Sequence, residues 1–454
     1  MDLTEEQLRL DTLCVRAGYA PGEHNNAVAV PIFQTAAFNA VDTARQKRVF
    51  AFEETAFGYA RSANPNAAVL EKRVCALDGA VSAVATCSGM SAVTYALLNA
   101  AEGGRILTTY SLYGGTVDSF KKVYPRHGVG VDLVENINDL EALERAVRPD
   151  TKAVFVESVS NPNAEVADLE GIAGVAHAHG IPLIVDNTIP TPYLEQPIRF
   201  GADVVVYSVT KALNGHGNAI GGLVLESGRF DWSAPKFPQF HEKLYTLRDR
   251  QGRERSVLEV FPQAPFVSRI RTLLLPFYGA TLGAFEASLV LIGLETLSAR
   301  LEKQTRNAER VIGFLENHPR VSWVKHPAAK DSPFHALAKK YLPRGAGGIF
   351  TFGVAGTEEQ RDRFIDSLRL FSFHANIGDV RSLVTNSPRS THRELSLNEQ
   401  ALAHLPPESI RLSIGLEDPC DLIADLSQAL NRAFEERTAA NCCSHSYTQE
   451  QKHA

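Results

Sequence analysis

GADVVVYSVTKALNGHGNAIGG, residues 201 to 222, is the stretch on which the reading of the whole chain turns. Asp203 to Tyr207 reads as a buried strand. Ser208-Val209-Thr210-Lys211 then ends the apolar run with two hydroxyls and an amine, and a glycine-rich segment follows. In an α/β protein, ligands bind at the carboxyl ends of the strands. An amine held there at reduced solvation loses its proton more readily and becomes a nucleophile. A lone lysine in a turn is usually only a solvated charge. Asp186, at the end of the preceding apolar strand IPLIVD, makes this one more interesting.

Working outward, GVDLVE, KAVFVES, IPLIVD and DVVVYS are near-continuous apolar segments, separated by the helical patterns NDLEALERAV and DLEGIAGVAHAHG. Such alternation predicts an α/β fold with a mainly parallel sheet covered on both faces. Upstream, Asn64 can cap a helix that begins at Pro65 and closes at Gly79. Residues 1–63 lack clear periodicity and read as an arm. The large domain is expected over 64–280, with an excursion at 228–270 that lines an entrance or a subunit contact. A long helical pattern from Leu282 to Asn317, bent near Gly293, leads into a smaller α+β domain over 281–436. Residues 437–454, with Cys442 and Cys443, read as a disordered tail.

The chain has 454 residues, 44% of them hydrophobic and 22% charged, which suits a soluble globular protein of two or more domains. A net charge of −6 offers no electrostatic footprint for nucleic acid. No apolar run is long enough to span a bilayer, and MDLTEEQLRL lacks a signal peptide's apolar core. Six cysteines without metal-ligand spacing point to a reduced cytoplasmic setting and no metal site.

Five groups converge at strand ends if the sheet is parallel. Ser88 and Gly89 open a helix whose N–H groups can hold a phosphate. The hydroxyls of Ser208 and Thr210 can assist. Asp186 can pair with a cationic ring nitrogen, and the Tyr113 ring can stack on a flat cofactor. Lys211 can form an imine. Each group alone has an ordinary structural explanation; jointly they describe a pyridoxal 5'-phosphate site.

The motifs YARSANPN, TCSGMSAV, SLYGGT, FVESVSNP, VDNT, SVTKALNGHGNAIGG and IRLSIGLEDP, in this order, resemble the Cys/Met-metabolism family of pyridoxal phosphate enzymes, a fold-type I group. GLETLSAR and HANIGD point to its O-acetylhomoserine sulfhydrylase branch. The resemblance covers about residues 10 to 436. It implies a seven-stranded large-domain sheet and a homotetramer built as a dimer of dimers. It implies Lys211, Tyr113 and Asp186 as catalytic residues, with Lys211 carrying the cofactor and shuttling protons. Ser88, Gly89, Met90, Ser208 and Thr210 would bind the phosphate. Asn161 would bond the phenolic oxygen. Tyr59 and Arg61 would reach the neighbouring subunit's cofactor. Arg411 would bind the substrate α-carboxylate, with Asn376 and Tyr59 beside it. The implied reaction is γ-substitution on O-acetyl-L-homoserine, with sulfide or a thiol replacing acetate to give homocysteine.

Three positions depart from the family pattern. Gly115 stands where similar γ-lyases carry cysteine, Ile189 replaces an aromatic, and SLVTNSPRSTH replaces the sulfhydrylase loop. Arg389 in that loop would add a cation near the pocket mouth, suited to an acceptor carboxylate. A larger or carbon nucleophile, or a γ-lyase-type elimination, is therefore the alternative chemistry, and a catalytically silent scaffold is the non-enzymatic one.

Overall fold

The apolar runs of the first half form a sheet of seven strands: β1 (Ser82–Thr86), β2 (Arg105–Thr109), β3 (Gly130–Val134), β4 (Thr151–Glu157), β5 (Leu183–Asp186), β6 (Val204–Ser208) and β7 (Gly222–Glu226). The computed structural model describes residues 7–435; the expected tail, with Cys442 and Cys443, lies outside them. Strand order is β1-β7-β6-β5-β4-β2-β3. β7 runs antiparallel to both neighbours and the other pairs are parallel. The carboxyl ends of β1, β2, β4, β5 and β6 therefore share one edge.

Alternation along each strand divides the core. Val205 and Tyr207 of β6 pack on the face that carries helices Pro65–Asp78 and Leu169–Ala178. Val204 and Val206 pack on the face that carries helix Gly89–Ala101. The first helix begins and ends as its residues require. The Asn64 side chain accepts from the Asn66 N–H, and Gly79 adopts φ 80°.

A second sheet contains β8 (Val321–Lys325), β9 (Ile349–Val354), β10 (Ser372–Phe373), β11 (Leu383–Asn386) and β12 (Ser409–Ser413), ordered β10-β11-β12-β9-β8. Helices Leu297–Glu316, Glu358–Ser367 and Pro419–Phe434 cover one face of it.

Four local expectations change. Helix Leu10–Arg16 sits within the presumed arm and buries Leu13 and Cys14 in the main core. The excursion is core in part, while residues 241–255 stay largely exposed. Trp232 lies 4.5 Å from Phe266 and 4.9 Å from Phe240, ring centre to ring centre, in the cluster that includes helix Gly89–Ala101. The long helical pattern breaks at Thr296, between Ala284–Glu295 and Leu297–Glu316. Gly293 serves close packing instead: a Cβ there would lie 2.2 Å from the Asn214 carbonyl oxygen. Finally, Leu383–Asn386 of the expected loop is a strand, paired with β12.

Candidate active site

Lys211 follows β6 in a tight turn. Its Nζ donates to Asn376 Oδ1 at 2.9 Å. Burial, and secondarily the Arg411 charge, lower its pKa to about 8. Arg411 comes from β12 and is only 3% exposed. Its Nη1 donates to Asn161 Oδ1 at 2.8 Å and its Nη2 to the Asn376 carbonyl at 3.1 Å. Asn376 thus links the amine and the guanidinium. Asn161 reaches the same guanidinium from the loop after β4, so both sheets contribute to one cluster.

Asp186 ends β5. Its Oδ1 accepts from the Thr188 N–H at 2.9 Å, while burial raises its pKa. The Thr188 hydroxyl accepts from the Ser208 N–H at 2.8 Å, which joins the ends of β5 and β6. The Thr210 hydroxyl accepts from the Gly221 N–H at 3.0 Å. Across from them, Ser88 caps helix Gly89–Ala101 by accepting from the Ser91 N–H at 3.1 Å. A Cβ on Gly89 would lie 2.5 Å from Ser208 Cβ, so only glycine lets this helix start meet the end of β6. Met90 Sδ lies 3.8 Å from the Thr116 hydroxyl, and Tyr113, 40% exposed, opens helix Gly114–Lys122.

Two residues join the site without having been singled out. Glu157 ends β4 and pairs in register with Asp186. It ends a buried strand with a carboxylate just as Asp186 does, and that was the available signal. His392 is buried, with Nε2 3.2 Å from the Leu112 carbonyl. Burial, and then Arg411, push its pKa down to about 4, so the ring is neutral at pH 7. It belongs to the loop that was expected to deliver Arg389.

The Arg389 guanidinium pairs with Glu358 at the start of helix Glu358–Ser367 and stays largely exposed. β11 carries the chain along β12 and ends in the turn Ser387–Arg389, where that acidic helix start supplies the arginine's partner. The Arg61 guanidinium lies 5.5 Å from the Tyr59 ring centre, and both line a surface cavity of about 390 Å³ whose lining does not include Lys211.

The cluster suits pyridoxal phosphate. It offers an amine of lowered basicity, a carboxylate whose hydrogen-bond donor among the described residues is Thr188, and a glycine-started helix pressed against the hydroxyl-bearing Ser208. One consequence concerns uptake. A lowered pKa makes the neutral amine abundant at lower pH than for an ordinary lysine, near 10.4. Stopped-flow uptake of pyridoxal phosphate by the apoprotein is expected to rise with pH and level off above about 8. A rate still climbing steeply past pH 9.5 would contradict this.

Comparison with known proteins agrees with this geometry. Residues 11–431 match the family model described as Cys/Met metabolism PLP-dependent enzyme. The sulfhydrylase FUB7 of Gibberella moniliformis is 39% identical over 428 residues, covering 93% of this chain and 98% of that one. The homocysteine synthase of Schizosaccharomyces pombe is 40% identical over 433 residues, covering 94% and 99%. A crystal structure from Campylobacter jejuni, described as an O-acetylhomoserine (thiol)-lyase with N'-pyridoxyl-lysine-5'-monophosphate, superposes with a TM-score of 0.88. It is 34% identical and covers 93% of this chain and 100% of that one. With a family match along nearly the whole chain and a lysine, a carboxylate and a helix start gathered at one sheet edge, this chain belongs to the Cys/Met metabolism family of PLP-dependent enzymes.

Proposed function

We propose that the protein catalyses γ-substitution on O-acetyl-L-homoserine, with sulfide replacing acetate to give homocysteine. The observation that carries this reading is Asn376, which holds the Lys211 amine through its side chain and the Arg411 guanidinium through its carbonyl. A proton-moving amine and a carboxylate anchor thus stand side by side, as an α-amino acid substrate requires. Bound pyridoxal phosphate supplies the electron sink for charge developing at Cα and Cβ.

Arg411 takes the substrate α-carboxylate in a bidentate fork, and Asn161 and Asn376 hold that fork in place. Lys211 Nζ removes the Cα proton and relays protons along the substrate. Acetate leaves from Cγ and hydrosulfide adds there. Asp186 keeps the proton on the cofactor's ring nitrogen. Ser88, Gly89, Met90, Ser208 and Thr210 hold the phosphate, Tyr113 stacks on the ring and Asn161 bonds its phenolic oxygen. Tyr59 and Arg61 reach the cofactor of a neighbouring subunit in a homotetramer. The arm (1–63), large domain (64–280) and smaller domain (281–436) are the units of this assembly, which we place in the cytoplasm. Among the described residues no helix is long and apolar enough to cross a membrane.

Incubation with O-acetyl-L-homoserine and sulfide, followed by mass spectrometry, is expected to yield homocysteine and acetate in equal amounts. Arg389→Ala should leave the rate within about twofold, because its exposed pair with Glu358 is worth little. Keto acid and ammonia formed without consumption of sulfide would favour elimination instead. A large loss in the Arg389 variant would restore the larger-acceptor reading.

A further inference from the structure

Glu157 has no part in the reaction above, yet its placement is unusual. It is 8% exposed at the end of β4, and its two carboxyl oxygens have different partners. Oε1 accepts from the Tyr113 N–H at 2.6 Å, and Oε2 from the Asn161 N–H at 2.9 Å. One side chain therefore joins the loop that carries the stacking tyrosine to the loop whose Asn161 holds Arg411. Its strand neighbour in register is a second carboxylate, Asp186.

We propose that Glu157 is a positioning residue that clasps the Tyr113 and Asn161 loops into one unit and so keeps the Arg411 anchor in place. This deepens the proposed function and rests on it. Burial, and then Asp186, push the Glu157 pKa up to about 8, against the two backbone N–H groups that favour its charged form.

Glu157→Gln leaves one acceptor for two N–H groups. Glu157→Asp is one methylene too short to reach both loops. Steady-state kinetics of both variants separate KM from kcat. Both variants should raise KM for the amino acid about tenfold with a smaller change in kcat, as Arg411 loses its fixed partner.

Unchanged KM in both variants overturns the clasp. Should the glutamine variant not fold, the aspartate variant decides on KM alone. Failure of the underlying reading is distinguishable, because the parent protein would then bind no cofactor or form no homocysteine.

Discussion

Lys211→Ala is expected to lower turnover by about 10⁴-fold, the upper end of what a positioned proton-transfer group contributes. The protein should still fold. Lys211 is half-buried and its recorded hydrogen bond goes to the Asn376 side chain, so alanine leaves one amide oxygen without a donor rather than an unpaired buried charge. The variant should also hold pyridoxal phosphate without a covalent bond, and dialysis should remove the cofactor far faster than from the parent. Lys211→Arg should fare no better, since a guanidinium does not deprotonate near neutral pH. Steady-state kinetics and dialysis followed by absorbance check this. A variant retaining a tenth of the parent activity would remove Lys211 from the chemistry.

Arg411→Leu should raise KM for the amino-acid substrate by roughly 10²–10³-fold, because removing one partner of a buried charged pair costs about 2–5 kcal/mol. Burial depresses the Arg411 pKa to about 10, yet the group stays cationic at neutral pH. No carboxylate among the described residues forms an ion pair with it, so its charge is available for a substrate anion. Arg411→Lys should rescue only part of the loss. A single ammonium cannot bond both substrate oxygens while holding the Asn161 and Asn376 contacts. The cofactor affinity of both variants should stay close to the parent's, which separates this effect from a collapsed site. Equal losses in kcat and in cofactor affinity would argue for a structural role instead.

Local patterns carried most of the large sheet. The apolar runs at β4, β5 and β6 need no distant partner to be recognised, and the Asn64 cap and Gly79 close approach their roles through neighbouring residues. Lys211 and Asp186 were visible because each ends such a run. The clustering of Arg411 with Asn161 was not visible in the same way. Those residues are 250 positions apart, and only the family resemblance pointed to Arg411 at all. Glu157 carried the same strand-end signal as Asp186 but shares its motif with Asn161, which drew the attention. Arg389 gave no sign of its pairing for a different reason. Its partner Glu358 is brought near only by the packing of the second sheet and its helix, and a charge in a loop carries no sign of which way it turns. The core part of the excursion was hidden because aromatic and Pro-rich composition looks alike in a surface loop and in a non-helical cover over a sheet face.

The central claim is that the amine at Lys211 is the one that holds the cofactor. Borohydride reduction of the holoenzyme, digestion and mass spectrometry test it directly. A pyridoxyl phosphate adduct is expected on the peptide containing Lys211 and on no other lysine. An adduct elsewhere, with the Lys211 peptide unmodified, would contradict it.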